Sequence, residues 1–261
     1  MKTLKQLFCL CLMTIFIQFN AADGQNRKQI DSTKTAKTAN QLSEGEMAHF
    51  QQMKNDWANL GRFRDDNTKL ESGVNTGNRV VFMGNSITEG WIESDPAFFS
   101  GRPYINRGIS GQTTPQMLIR FRPDVINLKP KAVVILAGTN DIAGNTGPSS
   151  LEMIEDNLKS MVDLAKANGI AVILSSVLPA YDYSWNPGVQ PAGKIAALNL
   201  WIKSYCSDNK IIYLDYYTQM VDKRQGLKSE YSEDGVHPNK KGYSLMEPLA
   251  DDAITKALNQ K

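Results

Sequence analysis

The sequence contains few of the residues that build metal centres and disulfide frameworks. Its 261 residues include three cysteines and two histidines. Cys9 and Cys11 lie in an apolar stretch at the amino terminus, so that removal of this stretch would leave Cys206 alone. One cysteine and two distant histidines cannot assemble a cluster from the usual soft metal ligands, and a lone cysteine forms no internal disulfide. We therefore expect no metal, no other cofactor and no disulfide in the mature chain.

The sequence also lacks an excess of charge of one sign. Lysine and arginine total 29 against 27 acidic residues, and the two kinds are interspersed. Proteins that bind nucleic acids or anionic membranes usually concentrate positive charge. The composition therefore gives no electrostatic case for either partner, and we expect no nucleic-acid binding and no stable membrane association.

A long apolar run occurs at the amino terminus. Leu7–Phe19 is broken only by two polar residues, follows Lys2 and Lys5, and precedes the small residues Ala21–Ala22. This order is typical of a secretory signal peptide, and the run is short for a transmembrane helix. We predict a signal peptide over residues 1–24 and export to the periplasm or the outside. An uncleaved anchor is the alternative.

The rest of the chain is expected to form one domain preceded by a linker. Residues 25–46 are polar and weakly patterned, which is typical of a linker. Residues 47–261 suit a single α/β domain, beginning with a segment, 47–70, that is helical at first, then irregular, and packs on the outside. Cys206 falls in a helical apolar pattern and is expected to be a core thiol.

From Arg79 onward, apolar runs alternate with amphipathic segments. Pro179 ends one such run, and Ser150 is placed to cap a helix whose apolar side includes Met153 and Leu158. This alternation predicts a parallel sheet with helices on both faces, whose ligand site lies beyond the carboxyl ends of the strands. The predicted strands are 79–83, 104–106, 131–137, 170–178 and 211–215, and the helices start near residues 114, 150, 191 and 242.

Two short motifs follow the first two predicted strands. Gly84-Asn85-Ser86-Ile87-Thr88 places a serine at a strand-to-helix turn, where its hydroxyl would stand clear of the sheet. Asn106–Thr114 contains Gly111, whose backbone N–H could approach a ligand closely because no side chain intervenes. Taken alone, the serine could be a simple helix cap and the glycine a simple turn residue.

Two further motifs fall at the same predicted edge of the sheet. Gly138-Thr139-Asn140-Asp141 follows the third strand and offers an amide donor. Asp234-Gly235-Val236-His237-Pro238 precedes the last helix, and Gly235 permits a tight loop that could aim Asp234 at one imidazole nitrogen of His237. Each could be structural alone, but jointly the four motifs supply the nucleophile, the base with its orienting acid and the oxyanion donors of acyl transfer.

These four blocks resemble those of the SGNH hydrolases, also called the GDSL lipase/esterase family. The resemblance covers about residues 79–258, and the stretch 106–114 is similar to the branch that includes platelet-activating-factor acetylhydrolase and bacterial carbohydrate esterases. It implies a flavodoxin-like three-layer sandwich with a five-stranded parallel sheet in the order 2-1-3-4-5. One departure is Asn85, where the family usually has aspartate.

The resemblance implies a serine esterase that works through an acyl-enzyme. Ser86 would be the nucleophile, His237 its base and Asp234 the triad acid. The backbone N–H groups of Ser86 and Gly111 and the side-chain amide of Asn140 would form the oxyanion hole.

The substrate is less constrained by the sequence than the reaction. Trp91 follows the nucleophile, while Tyr181, Tyr183 and Trp185 follow the fourth strand; these aromatic residues could bind substrate or simply pack. We expect a short acyl group such as acetate on a carbohydrate or related small molecule. A lysophospholipase or thioesterase is the alternative within the enzyme class, and a non-catalytic carbohydrate-binding protein on the same fold is the alternative outside it.

Overall fold

The computed structural model describes residues 43–73 and 77–259. The predicted signal peptide and most of the predicted linker lie outside these residues. The first described helix, α1 (Glu44–Asn55), begins within the region that we assigned to the linker, so residues 44–46 are helical. A second helix, α2 (Arg64–Ser72), follows an irregular segment around Trp57 and Asn59, as expected.

Five strands form one parallel sheet in the order β2-β1-β3-β4-β5, which confirms the predicted topology. The strands are β1 (Val80–Gly84), β2 (Tyr104–Gly108), β3 (Ala132–Leu136), β4 (Ala171–Ser175) and β5 (Ile212–Leu214). The remaining helices are α3 (Ser86–Ser94), α4 (Thr114–Asp124), α5 (Thr139–Ile142), α6 (Leu151–Ala167), α7 (Pro191–Asn209), α8 (Tyr217–Met220) and α9 (Lys240–Asn259). Single 3₁₀ turns occur at Pro96–Phe98, Ile126–Leu128 and Ser229–Tyr231.

The sheet separates two hydrophobic cores because successive strand residues point to opposite faces. Val81 and Met83 of β1 pack with α4, α6 and α7, whereas Val80 and Phe82 pack with α3 and α9. All five residues of β1 are buried, as a strand covered on both faces requires. The predicted three-layer α/β sandwich is therefore confirmed.

Several details of the helices test the sequence analysis. Ser150 caps α6 by accepting a hydrogen bond from Met153 N at 3.3 Å, as expected, but the Met153 side chain is 55% exposed. Ile154, one position later, is buried in its place. Cys206 is confirmed as a core thiol, and burial raises its pKa to about 12. No helix in the described part of the chain is both long and apolar enough to cross a bilayer.

Candidate active site

Ser86 lies at the carboxyl edge of the sheet, where β1 passes directly into α3. The buried Asn85 caps this helix, and its Oδ1 accepts a hydrogen bond from Ile87 N at 3.0 Å. Helix α3 passes close to the end of β2: a Cβ atom at Gly108 would lie 2.1 Å from Glu89 N, so only glycine fits there. As the first residue of a helix, Ser86 also has a backbone N–H without an intrahelical partner.

The structure brings Ser86, His237 and Asp234 together in one hydrogen-bonded chain. Ser86 Oγ lies 2.9 Å from His237 Nε2, and His237 Nδ1 lies 2.6 Å from Asp234 Oδ2. Ser86 and His237 are 151 positions apart, so the fold and not local sequence creates this contact. The arrangement has the order of contacts of a nucleophile, a base and an acid that orients the base.

A tight loop before α9 holds the acid and the base. Asp234 Oδ1 accepts hydrogen bonds from Ser232 Oγ at 3.1 Å, from Val236 N at 2.9 Å and from His237 N at 2.8 Å. Partial burial opposes ionisation of Asp234, but its bonds with the His237 side chain and these backbone N–H groups outweigh burial and lower its pKa to about 2. The carboxylate is therefore ionised at neutral pH and can stabilise a protonated imidazole.

The residues that carry the three predicted oxyanion donors line the same cleft. Ser86, Gly111, Asn140 and His237 all line an open cleft of about 360 Å³. Gly111 has a φ angle of +75°, a conformation that suits glycine, and Asn140 Nδ2 donates to Gln112 O at 2.9 Å. An amide nitrogen carries two hydrogens, so Asn140 keeps one for a ligand.

A buried arginine fixes the strand ends on which this cleft stands. Arg120 Nη2 donates to Gly84 O at 2.9 Å and to Arg107 O at 2.8 Å, at the ends of β1 and β2. Its Nη1 pairs with Asp124 at 2.9 Å, and its Nε donates to the side chain of Gln112. The arginine thus ties the turn before Ser86 to the loop after β2 that carries Gly111.

The predicted substrate-binding aromatics do not all reach the cleft. Trp91 is 2% exposed and stacks on Phe98 in the core. It is therefore a core residue, and its predicted role in substrate binding is wrong. Trp185 does line the cleft, with its ring centroid 6.2 Å from that of His237. Tyr183 is buried beneath Trp185, and Tyr181 is exposed in a neighbouring pocket that also includes Asp234.

Two residues of the cleft were missed by the sequence analysis. Asn145 donates from Nδ2 to Gly111 O at 3.2 Å and accepts from Trp185 Nε1 at 3.0 Å, so it joins two walls of the cleft. Ser110 also lines the cleft, and its N and Oγ both donate to Glu89. Asn145 lies five positions beyond Asn140 in a loop rich in turn residues, and the spacing of the motifs gives no signal for either contact.

Comparison with known proteins agrees with this geometry. A model of the GDSL-like lipase/acylhydrolase family matches residues 82–245, which include all four motifs. The chain belongs to this family. It is accordingly a carboxylic ester hydrolase, as the paired serine and histidine at the cleft would lead one to expect.

Individual proteins are similar to this chain over different fractions of its length. A structure assigned as an acylhydrolase of Bacteroides fragilis is 51% identical, with a TM-score of 0.76 over 78% of this chain and 100% of its own. Esterase TesA of Pseudomonas aeruginosa is 27% identical over 60% of this chain and 73% of its own length. The match to the uncharacterized lipoprotein YqeF of Bacillus subtilis is 37% identical and spans about a third of that protein (32%) and 29% of this chain.

Proposed function

We propose that the protein is a serine esterase that removes a short acyl group, such as acetyl, from a carbohydrate or a related small ester. The observation that carries this proposal is the Asp234–His237–Ser86 hydrogen-bonded chain, which ends at an open cleft. The reaction proceeds through an acyl-enzyme on Ser86. Neither a metal nor another cofactor takes part in the proposed steps.

The first half-reaction transfers the acyl group to the protein. His237 Nε2 takes the proton of Ser86 Oγ as this oxygen attacks the ester carbonyl, and the neighbouring Asp234 stabilises the imidazolium. The resulting tetrahedral oxyanion accepts hydrogen bonds from the backbone N–H groups of Ser86 and Gly111 and from the Asn140 amide. Collapse of this intermediate expels the alcohol, which takes the proton from His237.

The second half-reaction releases the acid. Water enters the open cleft, gives a proton to His237 Nε2 and attacks the acyl carbonyl, through a second oxyanion in the same place. When the bond to Ser86 Oγ breaks, the proton returns from His237 to the serine. Each donor of an oxyanion hole typically lowers the barrier by about 3 to 4 kcal/mol, so loss of one slows the reaction without abolishing binding.

The lining of the cleft supports a short acyl group. In the described part of the chain, the residues around Ser86 offer one large apolar surface, the indole of Trp185, and no aliphatic side chain. The apolar residues that follow Ser86 in α3, Ile87 and Trp91, are buried in the core and do not line the cleft. A long acyl chain would therefore stay in water and gain little binding energy.

The alternatives make different demands on the site. A lysophospholipase or thioesterase is expected to bury a longer apolar group. The described residues around Ser86 offer no aliphatic side chain against which such a group could pack. A non-catalytic binding protein on the same fold would have no use for the 2.9 Å contact between Ser86 Oγ and His237 Nε2. The contact favours the enzyme over the binding protein.

A series of nitrophenyl esters from acetyl to decanoyl tests the proposal. We expect kcat/KM to fall as the acyl chain grows, because the described lining of the cleft around Ser86 offers the added methylenes no aliphatic side chain. Faster turnover of the decanoyl ester would replace the short-acyl proposal with the lysophospholipase or thioesterase alternative. No turnover of any ester, in a folded protein, would favour the binding protein instead.

Export remains a proposal that rests on the amino-terminal pattern and on a lipoprotein among the relatives. Cleavage between about Ala22 and Gln25 is expected from the small residues that follow the apolar run. Amino-terminal sequencing of the protein from its native host would test it. An intact Met1 in the membrane fraction would show that the segment is an anchor.

A further inference from the structure

A second pocket, of about 320 Å³, adjoins the triad cleft. The two share the residues Ser110, Gly111, Asn145 and Trp185. The far wall of the second pocket comes from the end of α1 and from the loop that follows it, at Gln52, Met53, Trp57 and Asn59. This wall lies outside the residues that match the family model, 82–245.

The loop of the far wall is held in a defined position. Gln116 Nε2 donates to Trp57 O at 2.7 Å, and Gln112 Nε2 donates to Ala58 O at 2.7 Å. The carboxylate of Asp56 accepts from Leu60 N and Gly61 N, each at 2.8 Å. Trp57 is 38% exposed and lines the pocket, so its indole is accessible to a ligand.

Gln112 joins this wall to the oxyanion hole. Its side chain holds the loop at Ala58, while its backbone carbonyl accepts from the Asn140 amide at 2.9 Å. Gln112 therefore positions both the Asn140 amide, which would meet the oxyanion, and the loop that carries Trp57. A group seated in the second pocket would lie against the same loop, Ser110–Gln112, that faces the acyl carbonyl.

The chemistry of the second pocket selects a class of ligand. Its lining within the described residues consists of amide, hydroxyl and apolar side chains, with the indoles of Trp57 and Trp185, and includes no acidic or basic side chain. A charged ligand would lose hydration here without gaining a counter-ion. A neutral polyhydroxylated ring can instead present its hydroxyls to amides such as those of Gln52 and Asn59 and an apolar face to an indole.

We infer that this pocket binds the alcohol part of the substrate as a neutral glycosyl unit, and that the segment Gln52–Asn59 determines specificity. The inference rests on the proposed function, because the shared wall places such a unit beside the ester carbonyl that Ser86 Oγ would attack. An alcohol part that carries a carboxylate or a phosphate, as in an acetylated sialic acid or a lysophospholipid, does not fit this uncharged lining. The neighbouring pocket around Tyr181 includes Asp182 and Arg224 and is the competing site.

The test compares two acetyl esters in a small set of variants. Acetylated xylan supplies a neutral glycan as the alcohol, and nitrophenyl acetate supplies a small leaving group. Trp57→Ala should lower the ratio of kcat/KM on acetylated xylan to kcat/KM on nitrophenyl acetate about 10-fold or more, chiefly through KM on the glycan. Trp57→Phe, which keeps an aromatic face, should recover most of the ratio.

Matched controls separate the pocket from general effects. Phe50→Ala removes an exposed aromatic ring from the same helix, α1, outside the pocket, and should leave the ratio unchanged. Tyr181→Ala tests the competing pocket and should also leave it unchanged. Thermal unfolding of each variant checks the fold, and Gln52→Ala carries the test if Trp57→Ala does not fold.

The outcomes distinguish the two proposals. An unchanged ratio in the folded Trp57 and Gln52 variants, with nitrophenyl acetate still hydrolysed by the wild type, would overturn this inference and leave the proposed function standing. A larger loss in Tyr181→Ala than in Trp57→Ala would move the glycan to the other pocket. Preference for an acetylated sialic acid over acetylated xylan would contradict the neutral ligand, and a wild type inactive on every ester would overturn both proposals.

Discussion

The triad cleft and the pocket beside it are built in different ways. The cleft takes its reactive groups from loops that directly follow strands or precede α9, and each loop carries a short motif. The second pocket takes four of its twelve lining residues from 52–59, and hydrogen bonds from Gln112 and Gln116 hold this segment at the sheet edge. The contrast indicates that each reactive group is carried by a short motif, which the fold then brings together, whereas the second pocket also depends on a segment that carries no motif.

The largest effect is expected from removal of the nucleophile or the base. Ser86→Ala and His237→Ala should each lower kcat by at least about 10⁴-fold, because a triad acts as a unit. The loss should be the same for nitrophenyl acetate and for an acetylated glycan, since both react at the cleft. Steady-state rates, with unfolding curves as the control for structure, provide the measurement. Near-native turnover in either variant would show that the cleft is not the reactive centre.

The oxyanion donor should give the next largest effect. Asn140→Ala is expected to lower kcat about 100- to 1000-fold with a smaller change in KM, because the donor acts mainly in the transition state. This variant sharpens the comparison with the second pocket, where substitutions should act on KM. If instead KM for the glycan rose and kcat were unchanged, Asn140 would be a substrate-binding residue.

Asn85→Asp should have a moderate effect on turnover. Asn85 Nδ2 has no hydrogen-bond partner among the described residues, while Oδ1 accepts from Ile87 N, so a carboxylate keeps the bond that exists. We expect substantial activity, with the acid limb of the pH–rate profile shifted to higher pH because a nearby negative charge favours the protonated imidazole. Rates from pH 4 to 9 for both forms give the comparison. An inactive Asp variant would assign the Asn85 amide a role in the chemistry.

The smallest effect concerns stability at acid pH. The pKa of Asp234 is about 2 in the folded protein, below the usual value for an unfolded chain. The ionised Asp234 therefore adds to the free energy of unfolding above about pH 4, and this stabilisation is lost as the pH falls towards 2. The Tm difference between wild type and Asp234→Asn should therefore shrink over that range. It should be small, since Asp234 is partly exposed to solvent. A Tm difference that stays constant from pH 7 to pH 2 would contradict the low pKa.

Much of the fold could be predicted because its signals are local. Apolar runs such as Ala132–Leu136 alternate with amphipathic segments, and parallel strands bring their carboxyl ends to one edge, which is why the motifs after β1, β2 and β3 could be placed together. The pairing of His237 with Ser86 rested on the resemblance of the four blocks to the family, since His237 precedes α9 and does not follow a strand. Strand ends shifted by a few residues, since hydrogen bonding and not hydrophobicity fixes them. Met153 was placed on the wrong side of α6 because a terminal apolar residue has no neighbour that fixes the face.

The parts that could not be predicted depend on long-range contacts. Trp91 has the same local signature as a pocket residue, and only its packing against Phe98 and Tyr243 shows that it belongs to the core. Trp57 lies outside every motif, yet Gln116, which is 59 positions away, fixes its backbone at the active edge. Hydrogen bonds of this kind leave no periodicity or spacing in the sequence.

The identity of the nucleophile is tested most directly by labelling with a fluorophosphonate probe followed by peptide mass spectrometry. We expect a single adduct on the peptide that contains Ser86, no adduct in Ser86→Ala, and strongly reduced labelling in His237→Ala. An adduct on another serine of the cleft, such as Ser110, or continued ester hydrolysis by a protein that the probe has fully labelled at Ser86, would contradict this expectation.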